Sequence, residues 1–298
     1  AKPGEPFWES PWGRGRPGWH IECSAMSKPY APLDIHGGGQ DLIFPHHENE
    51  IAQSEAALHK DLARFWVHNG FVQINAEKMS KSLGNYKTIR DILESFLPET
   101  LRFFLLGKHY RSPIDFSFTD MEEAERSERR IYQSIVDAKA GLERTKWKKT
   151  VLPAELQEEW NQRERAFTDA LNDDLNTAEA LGEIFAQVRI VNRVLEDASM
   201  RASQEAKPLL ENFLARTAHW REELGILNME PEAFFEALRN LKIRRKGVDV
   251  AAIEELLEKR KTARSAKDFK TSDALRTTLE EMGVLVQDTP LGQKWDLA

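Results

Sequence analysis

The chain has 298 residues, of which 41% are hydrophobic and 31% charged, a composition typical of a folded, water-soluble protein. A formal net charge of −7 argues against a generic nucleic-acid binder, because such proteins are basic overall. The single cysteine, Cys23, excludes an internal disulfide framework, and no run approaches the roughly 18 apolar residues of a membrane helix. We therefore predict a cytoplasmic protein without a membrane segment.

The first zone, residues 1 to about 110, is rich in glycine and tryptophan and holds seven of the eight histidines. Clustered histidines among glycine-rich turns indicate an α/β region that carries a site. From Phe44 to about Leu58 the pattern predicts a helix, on which His46 and Glu50 share one face because they are four residues apart. With the thiolate of Cys23 they would provide three ligands of a zinc site. A surface hydrogen bond and a buried cysteine are the commoner meanings of these residues.

Two other segments of this zone suit a nucleotide. Glycines 37–39 follow His36 and would let a ligand approach the backbone, although a flexible turn has the same composition. Residues 78–85 carry two lysines three apart, Lys78 and Lys81, among serines. Such a cationic loop can neutralise the charge on a departing phosphate, but solvent-exposed turns also have this composition. The loop lacks the glycine spacing of a P-loop.

In the middle zone, from about residue 118 to 240, apolar residues recur at intervals of three and four, which predicts an antiparallel helix bundle. Asn176 with Glu179 can cap one of these helices, and Thr88 with Asp91 can cap an earlier helix. Long helices are predicted over residues 120–145, 155–172, 176–195 and 205–224.

The last zone follows a basic turn at residues 244–247. Between residues 239 and 270, eleven Lys and Arg stand against five Asp and Glu. This basic block either contacts a phosphate backbone or forms a solvated helix face. Helices over about 250–266 and 271–282, a strand over 284–286 and a turn over 288–292 predict a small mixed α/β module.

Taken together, these segments resemble class I cysteinyl-tRNA synthetases over the whole chain. The catalytic resemblance is carried by residues 8–13, 15–26, 34–39, 44–50 and 78–82, the last being the KMSKS signature. The helix bundle and the anticodon module of the family are resembled by residues 172–177, 267–269, 272–273, 288–289, Gly292 and Trp295. KMSKS alone marks only class I synthetases, whereas Cys23, His46 and Glu50 inside their segments are far more specific.

The resemblance implies an α/β plus all-α fold in three domains. Residues 1–117 would be the C-terminal half of a Rossmann-type catalytic domain, 118–243 a helical bundle that contacts tRNA, and 244–298 a small mixed α/β anticodon-binding module. It also implies ATP-dependent activation of L-cysteine and its transfer to tRNA(Cys) by a monomer. One Zn²⁺ per chain would select the substrate thiolate, and ATP would bind with Mg²⁺.

The resemblance also assigns roles to single residues. Those at the catalytic centre would be the zinc ligands Cys23, His46 and Glu50, the catalytic Lys78 and Lys81, the ATP contacts Lys81, Gly38 and Asp41, and the amino-acid pocket residues Trp19 and His36. Those at the anticodon would be Arg264, Phe269, Asp273 and Asp288. Phe269 would stack on an unpaired base or, alternatively, pack in a helix core.

Two parts of the family pattern are absent: the HIGH-type signature and a further zinc cysteine. We therefore expect the chain to be the C-terminal portion of a longer enzyme and to be unable to form the adenylate alone. Three other interpretations stay open: a cysteine ligase of the mycothiol type, which joins cysteine to an aminoglycoside-like sugar, a non-catalytic tRNA-binding fragment, and a structural metalloprotein. The basic C-terminal module favours tRNA, and the lysine loop beside the zinc segment disfavours a purely structural metal.

Overall fold

The computed structural model describes residues 2–74, 77–78, 87–143, 146–289 and 292–297. It divides into two compact units, formed by Ala1–Asn85 with Lys108–Phe116 and by Tyr86–Gly107 with Ser117–Ala298. Within the described ranges, every helix is too short or too polar to span a bilayer.

The first unit is built on a strand–helix–strand arrangement. Strands β1 (Leu33–Gly39) and β2 (Ala63–Asn69) pair in parallel, and helix α2 (Glu48–Leu58) lies between them in the chain. Parallel neighbours need such a crossover connection. Helix α1 (Trp19–Ser27) packs against α2. A second sheet joins β3 (Val72–Ile74) to β4 (Glu77–Lys78) in antiparallel and to β5 (Ile114–Asp115) in parallel orientation.

The second unit begins with helices, and their bounds confirm the predicted long helices. They are α3 (Ile89–Leu93), α4 (Pro98–Leu106), α5 (Phe118–Leu142), α6 (Ala154–Asn172), α7 (Thr177–Glu196), α8 (Ala206–Leu224) and α9 (Pro231–Lys246). Both predicted caps form. Asn176 accepts a hydrogen bond from the Glu179 backbone at 3.2 Å, and Thr88 and Asp91 make a reciprocal capping box.

Helices α5 to α9 pack together through apolar side chains at helical spacing. On α7, five of the predicted apolar positions are buried: Leu181, Ile184, Val188, Val191 and Val194. Helix α5 contacts α7, α8 and α9, and Tyr132 of α5 stacks on Phe234 of α9 with ring centroids 3.8 Å apart. Helix α9 continues to Lys246, three residues beyond the expected domain boundary, before Gly247 ends it with a φ of 62°.

The C-terminal part is a small module of two helices and a hairpin. Helices α10 (Val250–Ser265) and α11 (Phe269–Glu281) precede antiparallel strands β6 (Val284–Thr289) and β7 (Gly292–Leu297). A cluster of buried apolar side chains closes it: Ile253, Leu257, Leu279, Val284, Val286 and Leu297. The turn expected over 288–292 was wrong at Asp288 and Thr289, which lie in β6, and at Gly292, which begins β7, because the pairing of the two strands continues past the apolar run to Thr289 and Gly292.

Candidate functional site

The predicted metal ligands come together in the first unit. Cys23 lies on α1, His46 in a π-helical segment (Ile43–His47) that leads into α2, and Glu50 in the first turn of α2. The helix predicted from Phe44 was wrong at that residue, because its φ of −131° and ψ of 132° are extended. Their ligand atoms all lie within 4.8 Å of one another, and His46 Nε2 is 2.7 Å from Glu50 Oε1. The four-residue spacing thus places the imidazole and the carboxylate on one face, as predicted, and α1 brings the sulfur to them.

The carboxylate of Glu50 is buried without a cationic side chain beside it among the described residues. It is fully buried, and its Oε1 atom finds no hydrogen-bond partner among the described residues, because the approach of His46 Nε2 is close but not in hydrogen-bond geometry. None of the described lysines and arginines pairs with it. An uncompensated buried carboxylate is costly. The arrangement therefore fits a cation held between these three groups.

The ligand types in this group fit zinc. One thiolate, one imidazole and one carboxylate are all zinc ligands, at roughly 2.0–2.3 Å from the metal. His46 turns its other ring nitrogen away from Glu50, and this Nδ1 lies 2.7 Å from Nδ1 of His20. Partners of this kind fix the tautomer and the ring orientation of a ligating histidine. His20 therefore supports His46 from α1.

A second group shares Glu50. His36 Nε2 lies 2.6 Å from Glu50 Oε2, and ligand atoms of His36, His47 and Glu50 also lie within 4.8 Å of one another. His47 is buried, and its Nδ1 is 2.8 Å from Nε2 of His68. Both oxygens of Glu50 thus face imidazole nitrogens, and five histidines, His20 included, form one continuous polar cluster.

Burial shifts the pKa of three of these groups, Cys23, His47 and His68. It raises the pKa of the Cys23 thiol, and the negative charge of Glu50 acts in the same direction. It lowers the pKa of His47 and that of His68, and the neighbouring His36 adds to both effects. Without a cation, therefore, the thiol stays protonated and His47 stays neutral at neutral pH.

The two predicted pocket residues border this cluster. The ring of Trp19 lies 4.4 Å from that of His46, and the Trp19 residue is 59% exposed. His36 stacks on Trp66 at 4.6 Å with an interplanar angle of 15°. Trp19 is thus the exposed border of the cluster.

The predicted nucleotide contacts are placed only in part. A Cβ atom on Gly38 would stand 2.8 Å from the His47 ring, so this position admits only glycine without a shift of the cluster. Asp41 lies in the exposed turn that follows β1. Lys78 ends β4, but its side chain and the whole of Lys81 lie outside the described residues.

The predicted anticodon residues lie in the C-terminal module. Arg264 of α10 forms an ion pair with Asp288 of β6, and Asp288 also pairs with Arg260. Phe269 is 63% exposed at the start of α11, so it is not a core residue, and its stacking on a base stays a prediction. Asp273 lies one turn further along α11.

Four residues of these sites were not singled out from the sequence: His20, His47, His68 and Arg260. The histidines were visible as a cluster in composition, but only the fold shows which of them meet. Arg260 belongs to the basic block, where no sequence signal distinguishes a buried arginine from its exposed neighbours.

Three family models match the chain in succession. Residues 1–126 match the class I (C) catalytic domain of tRNA synthetases, 166–228 the DALR domain, and 250–295 the anticodon binding domain of cysteinyl-tRNA ligase. Together these matches support a class I synthetase catalytic domain followed by DALR and anticodon-binding regions.

Curated relatives are similar along the whole chain. The cysteine–tRNA ligase of Desulfovibrio desulfuricans is 63% identical over 297 residues, that of Nitratidesulfovibrio vulgaris (Hildenborough) 60% over 299, and that of Lawsonia intracellularis 52% over 299. The chain spans 62% of the length of each, the C-terminal part.

A solved structure is similar in fold. The ternary complex of a LeuRS with tRNA and LeuAMS from Agrobacterium radiobacter superposes with a TM-score of 0.54 over 70% of this chain and 27% of that chain. At 16% sequence identity, this likeness concerns the fold alone.

Proposed function

Since this chain belongs to the cysteinyl-tRNA synthetase family, we propose that the whole protein is a cysteine–tRNA ligase. The carboxylate of L-cysteine attacks the α-phosphorus of ATP, and pyrophosphate leaves. A ribose hydroxyl of the 3′-terminal adenosine of tRNA(Cys) then attacks the carbonyl of cysteinyl-adenylate, and AMP leaves. Domain order supports this function, because catalytic, DALR and anticodon-binding models follow one another along the chain.

The observation that carries the proposal is the convergence of Cys23, His46 and Glu50 around a buried carboxylate oxygen without a hydrogen-bond partner among the described residues. These residues would hold one Zn²⁺. Bound zinc favours a thiolate over the harder and less acidic hydroxyl as ligand, and so would distinguish cysteine from serine. His20 orients His46. Burial lowers the pKa of His47, so this neighbouring imidazole adds no positive charge at neutral pH.

The other proposed roles belong to residues around this centre. Trp19 and His36 border the cluster and would contact the substrate cysteine. Gly38 and Asp41 would lie at ATP, and Lys78 and Lys81 would stabilise charge on its phosphates, with Mg²⁺ bound to ATP. In the C-terminal module, Phe269 would stack on a base of the anticodon, and Arg264, Asp273 and Asp288 would contact base edges.

The finer architecture is part of the same proposal. The β1–α2–β2 unit supports half of a Rossmann-type sheet, and the mutual packing of α5 to α9 supports a helical bundle. The division into three domains, 1–117, 118–243 and 244–298, stays a prediction from the sequence. The cytoplasmic location and the monomeric state also remain predictions from the sequence.

Cysteine-dependent ATP–pyrophosphate exchange by the whole gene product tests the proposal, with serine as the competing substrate. We expect exchange with cysteine, no exchange with serine, and transfer of cysteine to tRNA(Cys). The His46→Ala variant should lose bound zinc and exchange together. Transfer of cysteine to an aminoglycoside-like sugar instead of tRNA, or full exchange by the zinc-free variant, would contradict the proposal.

A further inference from the structure

The C-terminal module contains one arginine that is almost completely withdrawn from solvent. The side chain of Arg260, on α10, is 3% exposed, whereas that of its neighbour Arg264, one turn further on, is 43% exposed. A buried guanidinium is rare unless a partner compensates its charge. Here the partner is Asp288 of β6, one of the residues proposed to contact the anticodon.

The ion pair between Arg260 and Asp288 is bidentate. Arg260 Nη1 donates to Asp288 Oδ1 at 2.9 Å, and Nη2 donates to Oδ2 at 3.0 Å. Paired hydrogen bonds of this kind fix the plane of the carboxylate as well as its position. Nη1 also donates to the amide oxygen of Gln293, and Gln293 Nε2 donates to the Leu257 carbonyl at 3.0 Å. The guanidinium is therefore itself held from two sides.

The apolar core of the module does not need this ion pair for closure. Leu257, Leu279 and Val284 already join α10, α11 and β6 in one buried cluster. The ion pair lies beside that cluster and leads to a partly exposed carboxylate, since the side chain of Asp288 is 38% exposed. An ion pair that only stabilised the module would not require a carboxylate that solvent and ligands can reach.

The state of Asp288 limits what it can bind. Hydrogen bonds from Arg260, and then from Arg264, hold the pKa of Asp288 far below its usual range. The group is thus a carboxylate at every physiological pH and can only accept hydrogen bonds. Of roughly four acceptor positions on a carboxylate, the described residues use three, since Arg260 takes two of them and Arg264 takes one. The one that no described residue uses suits a single amino or imino donor on a base edge.

We propose that Arg260 is a positioning residue for anticodon recognition: it does not touch RNA, but it presets the Asp288 carboxylate so that its remaining acceptor position faces a base donor. This inference rests on the proposed role of the module in binding the anticodon. Asp273 acts on the same arginine, because hydrogen bonding to Asp288 raises the pKa of Arg260 and the charge of Asp273 adds to it.

The test uses the full chain and RNA hairpins that carry the triplet GCA, complementary to a cysteine codon, or the same hairpins with one triplet base replaced. Fluorescence anisotropy at constant salt gives the ratio of the two affinities. We expect the parent chain to prefer the GCA hairpin, Arg260→Met to lose about tenfold of this preference, and Arg260→Lys to keep part of it. The single variant Asp288→Asn should already lose the preference for the GCA hairpin. The double variant Asp288→Asn, Arg260→Met should show no further loss.

The matched control is Arg276→Met, because Arg276 lies in the same module but pairs only with Glu280, four residues on, among its described partners. It should leave the preference unchanged. If the parent prefers GCA and Arg260→Met weakens binding of both hairpins equally, or only lowers the melting temperature, Arg260 only stabilises the module and the inference is overturned. If Arg260→Met does not fold, a full preference for GCA in Arg260→Lys also overturns the inference, because one ammonium group cannot reproduce the two parallel hydrogen bonds to Asp288. A parent chain that binds both hairpins equally overturns the proposed anticodon role itself, and this inference with it.

Discussion

Two carboxylates, one in each compact unit, are held in opposite ways. Glu50 is fully buried and is met by imidazole nitrogens and a thiol, with no lysine or arginine paired to it in the described part of the chain. Asp288 is partly exposed and is gripped by two arginines, one of them buried. Among the described residues, no side-chain cation compensates the charge of Glu50, whereas two guanidinium groups already compensate that of Asp288.

The difference teaches how each site is suited to its ligand. A buried carboxylate without a protein cation is stabilised when a metal ion enters, so its position is functional only with the ion. A carboxylate held by two guanidiniums is fixed before any ligand arrives, so it can distinguish between ligands by geometry. Two further buried carboxylates, Glu125 and Glu128 on α5, provide tests of this contrast.

Glu125 is the case in which the protein supplies all the positive charge. Arg245 donates to it at 3.1 and 3.2 Å, and Lys242 lies 3.6 Å away. Glu125→Gln leaves buried Lys242 and half-buried Arg245 without their carboxylate partner, so we expect the free energy of unfolding to fall by about 3–5 kcal/mol. Chemical denaturation measures this. The control Glu123→Gln, exposed on the same helix, should change it by less than about 0.5 kcal/mol. Equal effects of the two variants would contradict the contrast.

Glu50 is the case in which, in the proposed function, a metal supplies the charge. Because a ligand is lost, we expect Glu50→Gln to weaken zinc binding by more than the roughly 10–100-fold typical of residues outside the coordination sphere. Chelator competition on the full chain measures the affinity. Glu48→Gln, exposed in the same turn of α2, should bind zinc like the parent. Unchanged zinc affinity in Glu50→Gln would remove the metal from the site.

Glu128 is a buried carboxylate that the protein keeps protonated. Burial, together with the charge of Glu99, raises its pKa from 4.5 to about 8. The folded state therefore binds this proton more tightly than the unfolded chain. Its contribution to stability is complete below about pH 4.5, decreases as the pH rises, and is lost above about pH 8.

Glu128→Gln should therefore gain stability relative to the parent as the pH rises. At about 1.4 kcal/mol per pH unit, we expect a relative gain of roughly 2 kcal/mol between pH 6 and pH 8, where the folded group begins to ionise. Denaturation curves of both proteins at the two pH values measure it. A difference that stays constant with pH would show that Glu128 titrates normally.

Phe269 tests the exposed side of the second site. Stacking on one base contributes about 1–3 kcal/mol, so Phe269→Ala should bind the GCA hairpin about tenfold more weakly. Its melting temperature should stay that of the parent, because the residue is 63% exposed. Met282→Ala, at a partly exposed apolar position of the same module, is the control and should bind normally. A fall in stability without a fall in affinity would return Phe269 to a packing role.

Much of this protein was predictable because local rules govern it. The four-residue spacing of His46 and Glu50 and the caps at Thr88 and Asn176 depend on helix geometry alone, so sequence reasoning found them. The apolar periodicity of α7 predicted its buried face for the same reason.

Other features were decided only by the tertiary structure, because they depend on contacts between segments far apart in the chain. His20 meets His46 across 26 residues, and Arg260 meets Asp288 across 28. Neither spacing follows a helix or strand period, so nothing local distinguishes these residues from the other histidines and arginines around them. The sequence by itself determined which elements form and which chemistry they carry. Only the packing of those elements decided which side chains are buried, and hence which carboxylates have a guanidinium as partner and which have imidazoles and a thiol.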